Sequence, residues 1–239
     1  MTGAAPAAAP HPPPSPAWLA LAAEDLRALA WLHAEERAPE VLTALYASGF
    51  PATLTLVDAA RPEAQAMDAA LCALASSRCE EADDALPASS VNELAADYAA
   101  IYLTHALRAS PHESVWLDDD HLMLQGPTFA VRDFYRRHGV QAADWRVRAD
   151  DHITHELEFV ALLLERGETR EAARFLKTHL LAWLPDFARR VAQRAATPFY
   201  AALAGLTLAA CEGCQQRLPT VAVLPQPVLE GTRPGGGCG

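Results

Sequence analysis

Asp151-His-Ile-Thr-His-Glu-Leu-Glu-Phe-Val-Ala-Leu-Leu-Leu-Glu-Arg166 is the stretch on which the fold turns. At 100° per residue, Ile153, Leu157, Val160, Ala161 and Leu164 form one apolar face. His152, Glu156, Phe159 and Leu163 form a second stripe beside it, and only Thr154, Glu158 and Glu165 mark a solvated edge. A helix that is apolar around most of its circumference belongs in an interior, with other elements packed on several sides. Asp150 or Asp151 is placed to cap its start and Gly167 to close its end. His152 and Glu156, four residues apart, then face a buried groove where polar groups need partners, either each other or a loop.

The same helical grammar extends in both directions. Trp18 to His33 is rich in Ala and Leu; Pro39 to Ala47 begins with Pro and is followed by Gly49. Pro62 to Ser76 places Ala66, Ala69, Ala70, Ala73 and Leu74 at helical spacing, and the acidic stretch Glu80 to Pro87 ends that unit. Ser90 with Glu93 reads as a capping box. Pro127 opens a helix that runs through Phe134 and Tyr135 to a stop at Gly139. Glu168 to Leu184, Pro185 to Ala195 and Pro198 to about Ala210 complete the set. No run of alternating β-branched residues and no hairpin dipeptide between two such runs is present, so the expectation is all-α. The expected organisation is an Ala/Pro-rich disordered tail over 1–16, one multi-helix bundle domain over 17–210, and a flexible Cys/Pro/Gly-containing tail over 211–239.

Composition bounds the function. The 239 residues include 19 Lys and Arg against 30 Asp and Glu, a net charge of −11. That balance argues against a binder of the nucleic-acid backbone and suits a partner that carries positive charge. A mean hydropathy of +0.02 and the lack of any stretch near the roughly 20 apolar residues of a membrane span argue against an integral membrane protein. Residues 1 to 16 contain no Lys or Arg and no apolar core, so no secretory leader is expected. An odd count of five cysteines (Cys72, Cys79, Cys211, Cys214, Cys238) fits a reducing compartment, and the expected location is the cytoplasm. Cys72 is expected in the core.

Two patterns invite a metal reading. His152-x-x-His155-Glu156 has its histidines three apart, whereas a zinc protease needs them four apart with Glu directly after the first. Cys211-Glu-Gly-Cys214 is a lone pair of thiols, and two thiols cannot close a tetrahedral zinc site. A metal-dependent hydrolase or metal-binding regulator built on His152, His155 and Glu156 is therefore the secondary reading. No phosphate loop, dinucleotide fingerprint or nucleophile elbow appears, and no cofactor of the chain's own is expected.

Four segments, in order, resemble the TorD/DmsD family of redox-enzyme maturation chaperones. They are Tyr98-Ala-Ala-Ile-Tyr102; Pro111-His-Glu-Ser-Val115; Asp151-His-Ile-x-x-Glu156-Leu-x-Phe159; and Phe175-Leu-x-x-His179-Leu-x-x-Trp183-Leu-Pro185-x-Phe187 followed by Phe199-Tyr200. Together they cover roughly Tyr98 to Leu208. The family usually has Pro before the Asp of the third segment, where this chain has Asp150, and Asp serves there as a cap. The resemblance implies an all-helical, non-enzymatic cytoplasmic protein. Its implied partner is the twin-arginine signal peptide and apo form of an exported molybdenum oxidoreductase, whose export it delays until the cofactor is inserted. Such a peptide joins two guanidinium groups to an apolar, helix-prone stretch, so its receptor needs an apolar groove edged by carboxylates. Glu113, Ser114, Trp116, Asp151, His152, Glu156 and Phe159 are the expected contacts, with Asp118, Asp119 and Asp120 adding negative charge nearby. Which oxidoreductase is the client stays open, as does the choice between a monomer and a dimer that swaps helices.

Overall fold

The computed structural model describes residues 13–79, 88–104, 106 and 108–221, and among them it contains ten α-helices and no strand. The all-α expectation holds. Most of the two expected tails, 1–12 and 222–239 with Cys238, lies outside the described residues, as does the whole acidic break from Glu80 to Pro87.

Ser15 caps α1 (Pro16–Ala34), accepting a hydrogen bond from the Trp18 amide. Its buried residues Leu19, Ala22, Ala23, Leu26, Leu29 and Ala30 recur every three or four positions. Four alanines and leucines per two turns let α1 lie close along α7 (Ile153–Glu165), its main neighbour. As expected, Ile153, Leu157, Val160, Ala161 and Leu164 of α7 are wholly buried, and Glu158 and Glu165 are exposed. Thr154 departs from the expectation: it is buried, because the segment after Gly139 folds back over that side of α7.

The remaining helices wrap this pair. α2 (Pro39–Ala47) packs on α3 (Pro62–Cys79), and α3 packs on α10 (Pro198–Arg217), which also lies along α9 (Leu180–Arg194). α4 (Ala88–Tyr98) runs into a π-helical turn, Ala99–Leu103. α5 (Ser114–Leu117) and α6 (Gly126–Arg137) follow, and α8 (Thr169–Thr178) joins α7 to α9. Gly139 and Gly167 take the left-handed conformation after α6 and α7, with φ of +70° and +71°, as their reading as stops requires.

Several expected boundaries move. Ser90 sits two residues inside α4 and is not its cap. The break between α8 and α9 falls at His179, not at Pro185; Pro185 is accommodated in the second turn of α9, while the His179 ring turns out of the helical path toward Glu113. α10 passes Ala210 and continues to Arg217, so Cys211 and Cys214 are buried in the bundle rather than in a loose tail. Burial pushes the Cys211 thiol up and the Cys214 thiol up to about 12, so both behave as small protonated hydrophobes. Cys72, expected in the core, is only half-buried, on the outer part of α3.

Buried polar groups tie the layers. The Asp25 carboxylate on α1 accepts the amides of Thr55 (2.6 Å) and Leu56 (2.8 Å), and burial raises its pKa to about 6. Asp97 at the end of α4 accepts the amides of Ala196 and Thr197 and the Thr197 hydroxyl, fixing the α9–α10 turn. His33 bridges Tyr102 and Thr207. Thr207 donates to the Leu203 carbonyl, so its oxygen accepts from His33 Nε2, and His33 Nδ1 is left to accept from the Tyr102 hydroxyl. Burial lowers the pKa of His33 to about 3, so the ring stays neutral.

Close approach of α10 to the loop below it rests on one glycine. A Cβ at Gly213 would lie 2.2 Å from the Leu56 carbonyl oxygen, whereas one at Gly205 would meet nothing nearer than Glu63 Cγ at 3.9 Å. Gly213→Ala is expected to destabilise the protein by about 1–3 kcal/mol through overpacking. Gly205→Ala, in the same helix, is expected to be neutral or to stabilise by up to about 1 kcal/mol. Chemical denaturation of both variants checks this, and equal effects would contradict the described packing.

Candidate functional site

The second and third signature segments meet at one junction. The Glu113 amide donates to the Asp151 carbonyl (3.0 Å) and the Ile153 amide to the Pro111 carbonyl (2.9 Å), an antiparallel bridge centred on His112 and His152. Asp151 Oδ2 accepts the Ser114 amide at 2.8 Å and so holds the first turn of α5. His152 is the N-cap of α7: its Nδ1 accepts the Thr154 amide at 3.2 Å. The cap expected at Asp150 or Asp151 is corrected by this geometry, since both aspartates are already committed. Asp150 receives the Arg132 guanidinium at 2.7 and 2.9 Å, and Asp151 receives α5. The acceptor role of Nδ1 requires a neutral His152 ring; burial and the neighbouring His112 push its pKa well below the usual value.

Glu156 does not pair with His152. It turns toward α9, where Trp183 Nε1 donates to its Oε2 at 3.2 Å, and it faces Glu113. Glu113 in turn accepts from His179 Nδ1 at 3.0 Å. Glu113, Asp151 and Glu156 are all buried, so the structure gathers these expected carboxylates but sets them inside the protein, not along a rim. Burial, reinforced by the negative charge of Glu113, raises the Glu156 pKa well above the ordinary carboxyl value. A protonated Glu156 removes one of three negative charges from the junction.

The other expected contacts take separate places. Ser114 is wholly buried at the junction. Trp116 is half-buried; its Nε1 donates to the Ser110 carbonyl (2.8 Å), and the Arg190 guanidinium lies 5.7 Å from its ring centre. Phe159 packs among Tyr135 and Phe175, with ring centres 4.6 and 4.9 Å away. The three-residue set of the metal reading does not converge. His152 caps α7, His155 lies against Asp144, and Glu156 bonds Trp183. Among the described residues, no three His, Cys, Asp or Glu side chains gather where they could hold a metal ion.

Beside the junction, on the outer side of α7, runs a cleft of about 460 Å³. Phe159, Leu162 and Val140 contribute its apolar wall, and Asp144 and Glu158 contribute carboxylates; Arg27, paired with Glu165, and Arg148, 3.8 Å from Asp144, also line it. Two buried polar atoms of its lining residues have no hydrogen-bond partner, Thr154 Oγ1 and His155 Nε2; the latter lies 2.9 Å from Asp144 Oδ1 without hydrogen-bond alignment. Buried polar groups are normally satisfied, so unsatisfied ones lining a cleft point to a ligand. Of the lining residues, the sequence singled out Phe159 as a contact. Asp144 lies in an irregular segment without helical period, and Glu158 reads as an ordinary solvated position, so neither carried a signal. His179 and Trp183 stood in a quoted segment, but their partners lie 66 and 27 residues away in the chain.

Residues 62–189 match the model of the family described as nitrate reductase delta subunit. The chain is 36% identical over 124 residues to the Tat proofreading chaperone DmsD of Salmonella typhi, covering 51% of this chain and 60% of that protein. It is 30% identical over 131 residues to the chaperone protein TorD of Vibrio vulnificus strain YJ016, covering 50% and 61%. A TorD of Vibrio cholerae serotype O1 strain M66-2 is 33% identical over 130 residues, covering 49% and 58%. The matched region thus spans about 60% of the length of these relatives.

Stability should report the state of Glu156. Its raised pKa means that the folded protein holds this proton more tightly than the unfolded chain. That contribution is complete below the unfolded value of about 4.5 and is lost as pH rises through the higher folded value. Glu156→Gln keeps an acceptor for Trp183 and cannot ionise, so it should gain on the wild type as pH rises from about 5 to 8. Glu156→Ala should cost about 1–3 kcal/mol by leaving Trp183 unpaired. Exposed Glu158→Ala should cost less than about 0.5 kcal/mol. Urea denaturation across that pH range is the measurement, and parallel profiles for Glu156→Gln and wild type would refute the assignment.

Proposed function

The chain belongs to the nitrate reductase delta subunit family, and from that membership and the cleft along α7 we propose that it is a maturation chaperone for an exported molybdenum oxidoreductase. On this reading it acts in the cytoplasm, without catalysis, by holding the client's twin-arginine leader while the apoenzyme receives its cofactor. Among the described residues no helix is long and apolar enough to cross a membrane. The chaperone names of its relatives support the reading, and so does the physical match between a leader and the cleft.

The observation that carries the proposal is the composition of that cleft. An apolar wall with the carboxylates of Asp144 and Glu158 and the unsatisfied buried hydroxyl oxygen of Thr154 suits a peptide that is apolar along one side and carries guanidinium groups. Phe159 contacts the apolar stretch of the leader, and Asp144, Glu158 and Thr154 Oγ1 accept from its arginines. Glu113, Ser114, Asp151, His152 and Glu156 serve the same site from beneath by fixing the start of α7, and Trp116 holds the adjoining loop. The −11 charge attracts a basic leader over a distance set by ionic strength.

Isothermal calorimetry with synthetic twin-arginine leaders of molybdenum oxidoreductases encoded in the same genome tests this. At least one leader should bind, and changing its Arg-Arg to Lys-Lys should weaken binding although charge is kept, because guanidinium pairs with carboxylates in a directional way. Asp144→Asn and Glu158→Gln should each reduce affinity about three- to thirtyfold, in line with about 0.7–2 kcal/mol for a lost charge-assisted bond. Full affinity in both variants would remove the cleft from the site. Failure to bind any leader would remove the function.

A further inference from the structure

The α7 cleft has a neighbour of opposite character. Val140 and Gln141 line the cleft and also line a second hollow of about 270 Å³, whose other walls are Arg132, Arg136, Trp145 and Asp150. The cleft presents the Asp144 and Glu158 carboxylates, and its own arginines lie near acids, Arg27 with Glu165 and Arg148 with Asp144. The adjoining hollow presents two guanidinium groups and an indole. From 126 to 148 the sequence holds five arginines against two aspartates, a segment of +3 in a chain of −11. The overall charge therefore hides a patch suited to an acidic group.

The hollow is built to keep its cations in place. Arg132 spends Nε and Nη2 on buried Asp150, at 2.9 and 2.7 Å, which fixes its guanidinium 5.7 Å from the Trp145 ring centre. Trp145 itself is 48% exposed, a large apolar surface left beside those charges. Arg136, one turn along α6, has only a loose 3.4 Å pair with exposed Asp133 of its own helix. With Asp150 offsetting Arg132, Arg136 leaves the hollow one net positive charge. Guanidinium groups around an indole suit a guest with one carboxylate on an apolar stem, the stem lying on the ring and the charge on Arg136.

We propose that the hollow takes an Asp or Glu side chain of the same leader, a few residues from its twin arginines, and that Arg136 thereby selects which leaders are accepted. The inference rests on the reading of the α7 cleft as the leader site. The two spaces share a wall, and an extended peptide, at roughly 3.3 Å per residue, passes such a divide within about four residues. A free phosphate is a poorer guest: it brings close to two negative charges to a hollow with one net positive charge and the Asp150 carboxylate in its lining. A leader with Lys or Arg at the same point meets Arg136 instead, and that repulsion is a means of rejecting it. The cleft thus recognises the feature common to all twin-arginine leaders, and the hollow distinguishes among them.

Calorimetry on the full chain is the test, with peptides built on the tightest-binding twin-arginine leader of the same genome. Each peptide carries Glu, Gln or Lys at one of about four positions on either side of the arginine pair. At one or two of these positions Glu should bind about three- to thirtyfold more tightly than Lys, with Gln between them. Arg136→Glu should reverse that order at the same positions, and the reversal also shows that the variant is folded. Arg137→Glu makes the same change of charge one residue along, outside the lining of the hollow, and should leave the order intact. Asp144→Asn should weaken every peptide alike and also leave the order intact. Equal binding of Glu and Lys at every position, or the same response to both arginine variants, would overturn the proposal and leave the leader reading standing. If no leader binds, that reading falls and the selection by Arg136 falls with it.

Discussion

Three carboxyl groups buried at one point, those of Glu113, Asp151 and Glu156, are the constraint from which the rest of the architecture follows. A buried carboxylate without a partner is far too costly to keep, so each must draw in a donor from elsewhere. Asp151 draws in the backbone of α5, Glu113 the His179 ring from the break between α8 and α9, and Glu156 the Trp183 indole from α9. These demands explain why a four-residue helix forms at Ser114, and why the chain breaks at His179 with no Gly or Pro there to force it. They also hold the start of α7, the helix along which the candidate leader cleft runs.

Periodicity made the helices legible because each buries an apolar stripe, and stripes are local. α2 was readable to the residue from Pro39 and the glycine beyond its end. The interior character of α7 was equally plain, and its fully buried residues are those that a helical projection picks out. Boundaries failed where long-range demands overrode local ones. Pro185 is a strong breaker on its own, yet the helix keeps it because the contact between His179 and Glu113 places the break six residues earlier. The Gly- and Pro-rich end of the chain suggested that order stops near Ala210, but α10 continues for two more turns because Cys211 and Cys214 have core to fill.

The candidate site was legible as a set of residues and not as an arrangement. The signature segments named Glu113, Asp151, His152 and Glu156, and these do come together. Sequence carries charge but no depth, so acidic residues read as a rim turned out to be an interior, with His152 rather than an aspartate as the cap. The residues that line the open cleft, Asp144, Thr154 and Glu158, sit in positions whose local pattern is unremarkable. Only the return of the chain over α7 gives them a common space.

The π-helical turn at Ala99–Leu103 amounts to one residue too many in an otherwise ordinary helix. Its effect is to let Tyr98 and Tyr102 stack, ring centres 4.9 Å apart, while Tyr102 still reaches His33. Without that residue the helix would be regular there, with every later side chain turned by about 100° and Tyr102 aimed away from His33. The extra residue and the buried Tyr102–His33–Thr207 relay are therefore geometrically dependent on one another.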